Sequence, residues 1–362
     1  MLYPCVYTCI HICQPPAESP VMQLSLTLAI AVLGVAVFYA LGLPLPFLFG
    51  PMFACLLAAL AGVRLRGVPP VEQGARTILG VAVGAAVTPA LLAQLPTMAF
   101  TMALIPPYIM LIGLIGVPFF RRFGGYDRPT AWYASMPGGF QDMVLFGKEA
   151  GANVRALALI HATRVLTIVV IAPFILTLGY GVTLDGAIGD PATEVPPREM
   201  AIMVAAALGG WWLAQRVGLF GAPILGPMIV TAVLSLTDIL HYRPPAEAIM
   251  AAQFFIGMGI GTHYVGVTMR ELRHDVAVGA AFAVVLAALA AAFTVVAQRY
   301  GGAPPVEAFL SFAPGGQAEL AVMAIVVGAD LGFVVAHHVI RLIIVITGAP
   351  LAGARFLNRR QE

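Results

Sequence analysis

The chain has 362 residues, of which 60% are hydrophobic and only 10% charged, where an ordinary soluble domain carries about 25% charge. With a mean hydropathy of +0.94, a water-soluble globule is excluded: so few charges cannot cover its surface, and most of the outer face must meet hydrocarbon. A net charge of +2, from 19 Lys and Arg against 17 Asp and Glu, offers no basic field for nucleic acid. The partners expected are the lipid bilayer, a small-molecule solute and, in a homo-oligomer, a second copy of the chain.

Residues 1–21 read as a poorly defined N-terminal segment. Its Cys5, Cys9 and Cys13 imply no disulfide framework, and the segment lacks the charged start and small-residue cleavage site of a signal peptide. Membrane spans, each needing about 20 apolar residues, are predicted near 24–42, 44–62, 76–95, 97–120 and 155–178, then 199–215, 222–240, 248–269, 275–297 and 331–353. Two further apolar stretches, 129–152 and 306–329, are broken by Pro-Gly-Gly and carry an acid inside. The expected organisation is a first membrane repeat over 22–180, an external connector over 181–197, a second repeat over 198–354 and a cytoplasmic tail over 355–362.

The repeat rests on self-similarity at an offset of 177 residues, the sign of internal duplication. Pro137-Gly138-Gly139 falls on Pro314-Gly315-Gly316, Asp142 on Glu319, His161 on His338, Arg164 on Arg341, and Gly80 and Gly84 on Gly257 and Gly261. After a one-residue slip, Gly50-Pro51-Met52 meets Gly226-Pro227-Met228. If each Pro-Gly-Gly stretch re-enters without crossing, each unit has five spans and the second copy is inverted. With Arg164 and Arg341 set aside, fourteen Lys and Arg then lie inside and only Arg198, Arg243 and Arg299 outside; crossing stretches give twelve against five. The positive-inside rule favours the inverted reading, and inverted repeats are a hallmark of secondary transporters. The connector, with Asp185, Asp190 and Glu194 but no Lys or Arg, then lies outside.

A Pro-Gly-Gly interruption at membrane depth survives only where protein or a watery cavity satisfies the backbone. A helix restarting after Gly139, and another after Gly316, would point free N–H groups and a positive dipole end into the protein, an arrangement that holds anions. A plain packing kink is the rival. Asp142 and Glu319 could cap those N–H groups or bind a proton or cation. His161 with Arg164, and His338 with Arg341, are three residues apart and share a helix face. The arginines can neutralise an acid or clamp a carboxylate, and the histidines can exchange a proton; a purely structural ion-pair network is the alternative. Where selectivity needs asymmetry the copies differ: Gln141 and Asn153 correspond to Ala318 and Asp330, and Gln317 and His337 to Phe140 and Ile160. The paired glycines at 80, 84, 257 and 261 read as close helix packing.

Leu-Phe-Gly-Pro-Met at 48–52, Ile-Leu-Gly-Pro-Met at 224–228, Ser-Met-Pro-Gly-Gly-Phe at 135–140, Phe-Ala-Pro-Gly-Gly-Gln-Ala-Glu at 312–319 and the twice-used His-x-x-Arg resemble the duplicated AbrB membrane protein family of bacteria, over about residues 22–355. That family has been labelled an ammonia monooxygenase and a regulator of gene expression, and is distinct from the small soluble DNA-binding AbrB proteins. The resemblance implies no site residue to carry over. Against an oxygenase stands the ligand set: of seven histidines, His11 is in the N-terminal segment and His241, His263 and His274 are near predicted span ends, which leaves His161, His337 and His338, and the adjacent His337 and His338 point about 100° apart on a helix.

The function expected is a secondary transporter of a small anionic solute, coupled to protons or ions, in the bacterial inner membrane. The alternatives are a membrane regulator or sensor and, behind it, a metal-dependent monooxygenase. The architecture expected is all-α, about ten transmembrane helices in two inverted halves. The expected solute- or ion-binding residues are Pro137, Gly138, Gly139, Asp142, His161 and Arg164, with Pro314, Gly315, Gly316, Glu319, His338 and Arg341. No catalytic residue, cofactor or metal is expected.

Overall fold

A computed structural model describes residues 19–184, 186, 188–219 and 221–358. Cys5, Cys9, Cys13 and Asp185 lie outside the described residues. Among those described there is no β-strand. Helices α1 (Pro20–Ala40), α2 (Pro46–Leu60), α3 (Pro69–Gly84), α4 (Pro89–Ala103), α5 (Ile105–Arg122), α6 (Arg128–Ser135), α7 (Phe140–Glu149) and α8 (Val154–Phe174, extended by a π turn over Ile175–Gly179) are followed by a second series. That series is α9 (Pro197–Arg216), α10 (Ala222–Leu236), α11 (Ala246–Thr262), the single turn α12 (Met269–Glu271, leading through a π turn over Leu272–Val276), α13 (Ala277–Gly301), α14 (Pro305–Phe312), α15 (Gln317–Val326) and α16 (Leu331–Asn358).

Among the described residues, five stretches are long and apolar enough to cross a bilayer: Pro20–Ala40, Pro89–Arg122, Val154–Gly179, Met269–Gly301 and Leu331–Phe356. Shorter apolar helices accompany them. The outer face fits a multi-pass membrane protein, since α1 exposes Val32, Leu33 and Val37 and α9 exposes Val204, Leu208 and Trp212, large apolar side chains that water would disfavour.

The helix starts follow local chemistry. Proline stands in the first turn of α1, α4 and α6, where its missing N–H has no partner to lose. The side chains of Ser19, Thr88 and Asp127 accept from Met22, Leu91 and Thr130 N–H at those three starts. These signals also correct one predicted boundary. The span expected over 76–95 is instead α3 over Pro69–Gly84 and a separate α4 from Pro89: Pro69-Pro70 opens a helix earlier than hydropathy alone indicates, and Thr88-Pro89 opens the next. The last helix runs to Asn358, into the expected tail.

Helix packing recurs in pairs at the sequence offset. α3 packs on α10 while α2 packs on α11, and α1 packs on α2 while α9 packs on α10. A Cβ at Gly80 would overlap the Ile224 carbonyl and one at Gly84 the Met228 carbonyl; one at Gly257 would overlap the Leu48 carbonyl and one at Gly261 the Met52 carbonyl. These glycines therefore serve close backbone approach between helices. Gly50-Pro51 and Gly226-Pro227 lie inside α2 and α10, where Gly50 meets Gly34 and Gly226 meets Gly210. They mark helix crossings.

Candidate functional site

Each Pro-Gly-Gly falls between two short helices, α6 and α7 in the first half, α14 and α15 in the second. At about 1.5 Å per residue, none of the four is long enough alone to span hydrocarbon. A break of this kind releases the carbonyls that end the first helix and the N–H groups that start the second, and both sets need partners.

The carbonyls are met by the His-x-x-Arg motif, the same way in each half. His161 Nε2 donates to the Tyr133 carbonyl at 3.1 Å and His338 Nε2 to the Leu310 carbonyl at 2.9 Å. Arg164 donates to the Met136 carbonyl at 3.0 Å and Arg341 to the Ala313 carbonyl at 2.7 Å. Arg164 makes a second bond, to Gly138 O at 2.9 Å, and in the other half Tyr108 Oη donates to Phe312 O at 2.7 Å. The three-residue spacing puts both side chains on one face of α8 or α16, two rungs of a clamp along the end of the short helix. His161 Nδ1, His338 Nδ1 and Arg164 Nε have no hydrogen-bond partner among the described residues.

The N–H groups open α7 and α15 beneath Gly139 and Gly316, which bring no capping side chain. Instead the acid three residues on folds back. A Cβ at Gly139 would collide with the Asp142 carboxyl, and one at Gly316 with the Glu319 carboxyl. Glycine at these two positions is what lets each carboxyl lie over its own helix N-terminus.

The two breaks meet at one cavity of about 160 Å³. Of the twelve residues expected from sequence, ten line it: Pro137, Gly138, Gly139, Asp142 and Arg164 with Gly315, Gly316, Glu319, His338 and Arg341. His161, fully buried at 0% exposure, and Pro314 are not among the lining residues. The structure adds Arg76 and His263, the first at the cytoplasmic boundary of the span predicted over 76–95 and the second near the end of the span predicted over 248–269. Pro69-Pro70 is the signal that could have found Arg76: with the helix started there, Arg76 sits four residues before Gly80 on the face that packs on α10. Arg76 lines the same space as Asp142 and Glu319. Three guanidinium groups and two carboxyls thus surround the cavity, with a positive excess of one. Phe140 meets the His263 ring edge-on, with centroids 4.8 Å apart.

The positions of asymmetry resolve differently. Asn153 and Asp330 are both helix caps, accepting from Ala156 and Phe333 N–H at 3.1 Å. The side chain of Gln141 lies outside those described, and Gln317 lines the cavity. His337 faces away from His338, with Thr101 Oγ1 at 2.8 Å and its ring stacked on Phe333. Among the described residues, no three His, Cys, Asp or Glu side chains are grouped to hold a metal ion.

A family model described as "Transition state regulatory protein AbrB" matches residues 47–357. A Bacillus subtilis (strain 168) protein named "Uncharacterized protein YhjN" is 27% identical over 350 residues, covering 89% of this chain and 90% of its own. An Escherichia coli (strain K12) protein named "Putative regulator AbrB" is 25% identical over 348 residues, covering 94% of this chain and 97% of its own. With most of its length matched by the family model and both relatives aligned nearly end to end, the chain belongs to the AbrB family.

Proposed function

We propose that the chain is a secondary transporter of a small anionic solute, in an inner membrane, with about ten spans in two inverted halves and the Pro-Gly-Gly segments re-entrant. One observation carries this reading: two helix N-termini, each covered by its own acid, open onto a single cavity edged by three arginines. Helix N-termini and guanidinium groups attract anions. The acids supply the coupling. Asp142 and Glu319 lie over the two helix N-termini that a solute anion would use, and while ionised they repel it there. A proton on either acid removes that repulsion, so anion and proton are favoured in the same state. The paired helix packing at the 177-residue offset supports two equivalent halves, and the excess of Lys and Arg on one side supports their opposite orientation.

The test is uptake of radiolabelled small mono- and dicarboxylates by proteoliposomes under an imposed pH gradient. Asp142→Asn and Glu319→Gln are each expected to abolish gradient-driven uptake while circular dichroism and size-exclusion behaviour stay those of the wild type. Unchanged uptake in both variants would overturn the assignment. A second reading, a membrane sensor, is favoured by the name of the Escherichia coli relative; it would use the same cavity and predicts anion binding without flux.

A further inference from the structure

The cavity extends to one side of the paired halves only. It reaches Arg76 on α3, His263 after α11, and Gly221 and Pro223 at the start of α10. The residues that correspond to these are Gln253, Ala86, Leu45 and Phe47, and none of them lines it. At the corresponding place α2 and α11 are packed shut: Leu45 is 4% exposed, Leu48 1% and Gln253 1%. Yet the backbones around the two places match, since Gly80 and Gly84 approach α10 as Gly257 and Gly261 approach α2. Arg76 and Gln253 each stand one turn before the first glycine of their pair.

Gln253 is out of keeping with its surroundings. Neither its Oε1 nor its Nε2 has a hydrogen-bond partner among the described residues, although α11 is otherwise apolar around it and an unpaired buried amide is costly. Packing alone would be better served by Leu or Met. An amide there is explained if the site is wet in another state of the protein.

We infer that the protein has a second state in which α2 and α11 part around Leu45 and Gln253 as the cavity mouth around Arg76, Gly221 and Pro223 closes, and that Gln253 then lines the solute's path from the opposite face. This rests on the transporter reading. Two structurally matched halves can exchange conformations at little net cost, because the packing that opens in one half re-forms in the other. The substitution of a neutral amide for a guanidinium also makes the two faces unequal. Arg76 holds the anion on the cytoplasmic side, whereas Gln253 offers two N–H donors without a charge, so the anion is held less strongly on the external side.

The test uses the full-length chain with Cys5, Cys9, Cys13 and Cys55 replaced by alanine, in right-side-out vesicles, and a membrane-impermeant maleimide as the probe. Gln253→Cys and, as a second position on the same path should the first not fold, Leu48→Cys are expected to react from outside. Their rates should fall roughly 10- to 1,000-fold below that of the exposed connector position Thr193→Cys, as a state populated at about 0.1–10% requires. Reaction at either position from outside supports the inference. Reaction at neither, or from the inside only, overturns it. Uptake by the same vesicles is scored separately: uptake without external labelling overturns this inference and leaves the transporter reading standing, whereas labelling without uptake shows the second state but overturns the transporter reading and, with it, the assignment of Gln253 to a solute path.

Discussion

Replacing Arg164 with leucine separates the two roles open to this guanidinium. In the structure it donates to the carbonyls of Met136 and Gly138 at 3.0 and 2.9 Å, both set free by the Pro-Gly-Gly break. Leucine leaves two buried carbonyls without their donor, at about 1–3 kcal/mol each, so roughly 2–6 kcal/mol in total. Removing a buried guanidinium that has no close carboxylate partner recovers part of this, which places the net cost toward the lower end. Arg341 donates to one such carbonyl, that of Ala313, so Arg341→Leu should cost about half as much. A loss of 1 kcal/mol lowers Tm by roughly 2–4 °C in a domain of 150–250 residues. A drop of about 5–10 °C is therefore expected for Arg164→Leu, and a smaller one for Arg341→Leu. Arg164→Lys, a single point donor that cannot fork across two carbonyls, should fall between Arg164→Leu and the wild type. The assay is thermal unfolding of detergent-purified protein followed by far-ultraviolet circular dichroism, alongside uptake. If Arg164→Leu unfolded at the wild-type temperature while uptake was lost, the guanidinium would act on the solute alone, and the anchoring argument would be refuted.

Gly80→Leu should destabilise by about 1–3 kcal/mol through overpacking, because its side chain meets the Ile224 carbonyl, whereas Gly74→Ala, with nothing within 4 Å of the added Cβ, should stabilise by roughly 0.5–1 kcal/mol; equal Tm values for the two variants would contradict the packing account. His241 lies 3.1 Å from Glu199 and 3.2 Å from Asp238, and the hydrogen bond to Glu199, then the charge of Asp238, raise its pKa above the usual 6.5. A raised pKa means that the protonated ring stabilises the fold fully below about pH 6.5, and that this contribution is lost as pH rises through the higher folded-state value. The Tm gap between wild type and His241→Ala should accordingly close on going alkaline, and a gap constant with pH would exclude the ion pair. Reporter fusions after residues 125 and 302 should report opposite sides of the membrane; a shared side would rule out the inverted arrangement.

Much of the candidate site was legible as a pattern because its motifs occur twice at one offset. One offset located both breaks, both acids and both His-x-x-Arg motifs, since the backbone demand of a broken helix is the same at both places. Their chemistry was less legible. A histidine and an arginine on one helix face look alike whether they meet a solute, an acid or a carbonyl, and only the packing of α8 against the end of α6 shows the carbonyls of Tyr133 and Met136 as the partners. Arg76 was hidden for another reason: hydropathy discounts a charged first turn, so the polar start of α3 passed for a loop.

By itself, then, the amino-acid sequence determined an all-helical chain rich in apolar helices, the doubling of its motifs and the family to which it belongs. These follow from composition, periodicity and residue order, which are local quantities. The tertiary structure decided that the two breaks share one cavity, that its arginines divide between anchoring backbone and facing the space, and that Gln253 is shut away where its counterpart Arg76 is not. Those depend on which helices pack together across nearly two hundred residues of chain, and no local pattern encodes that distance.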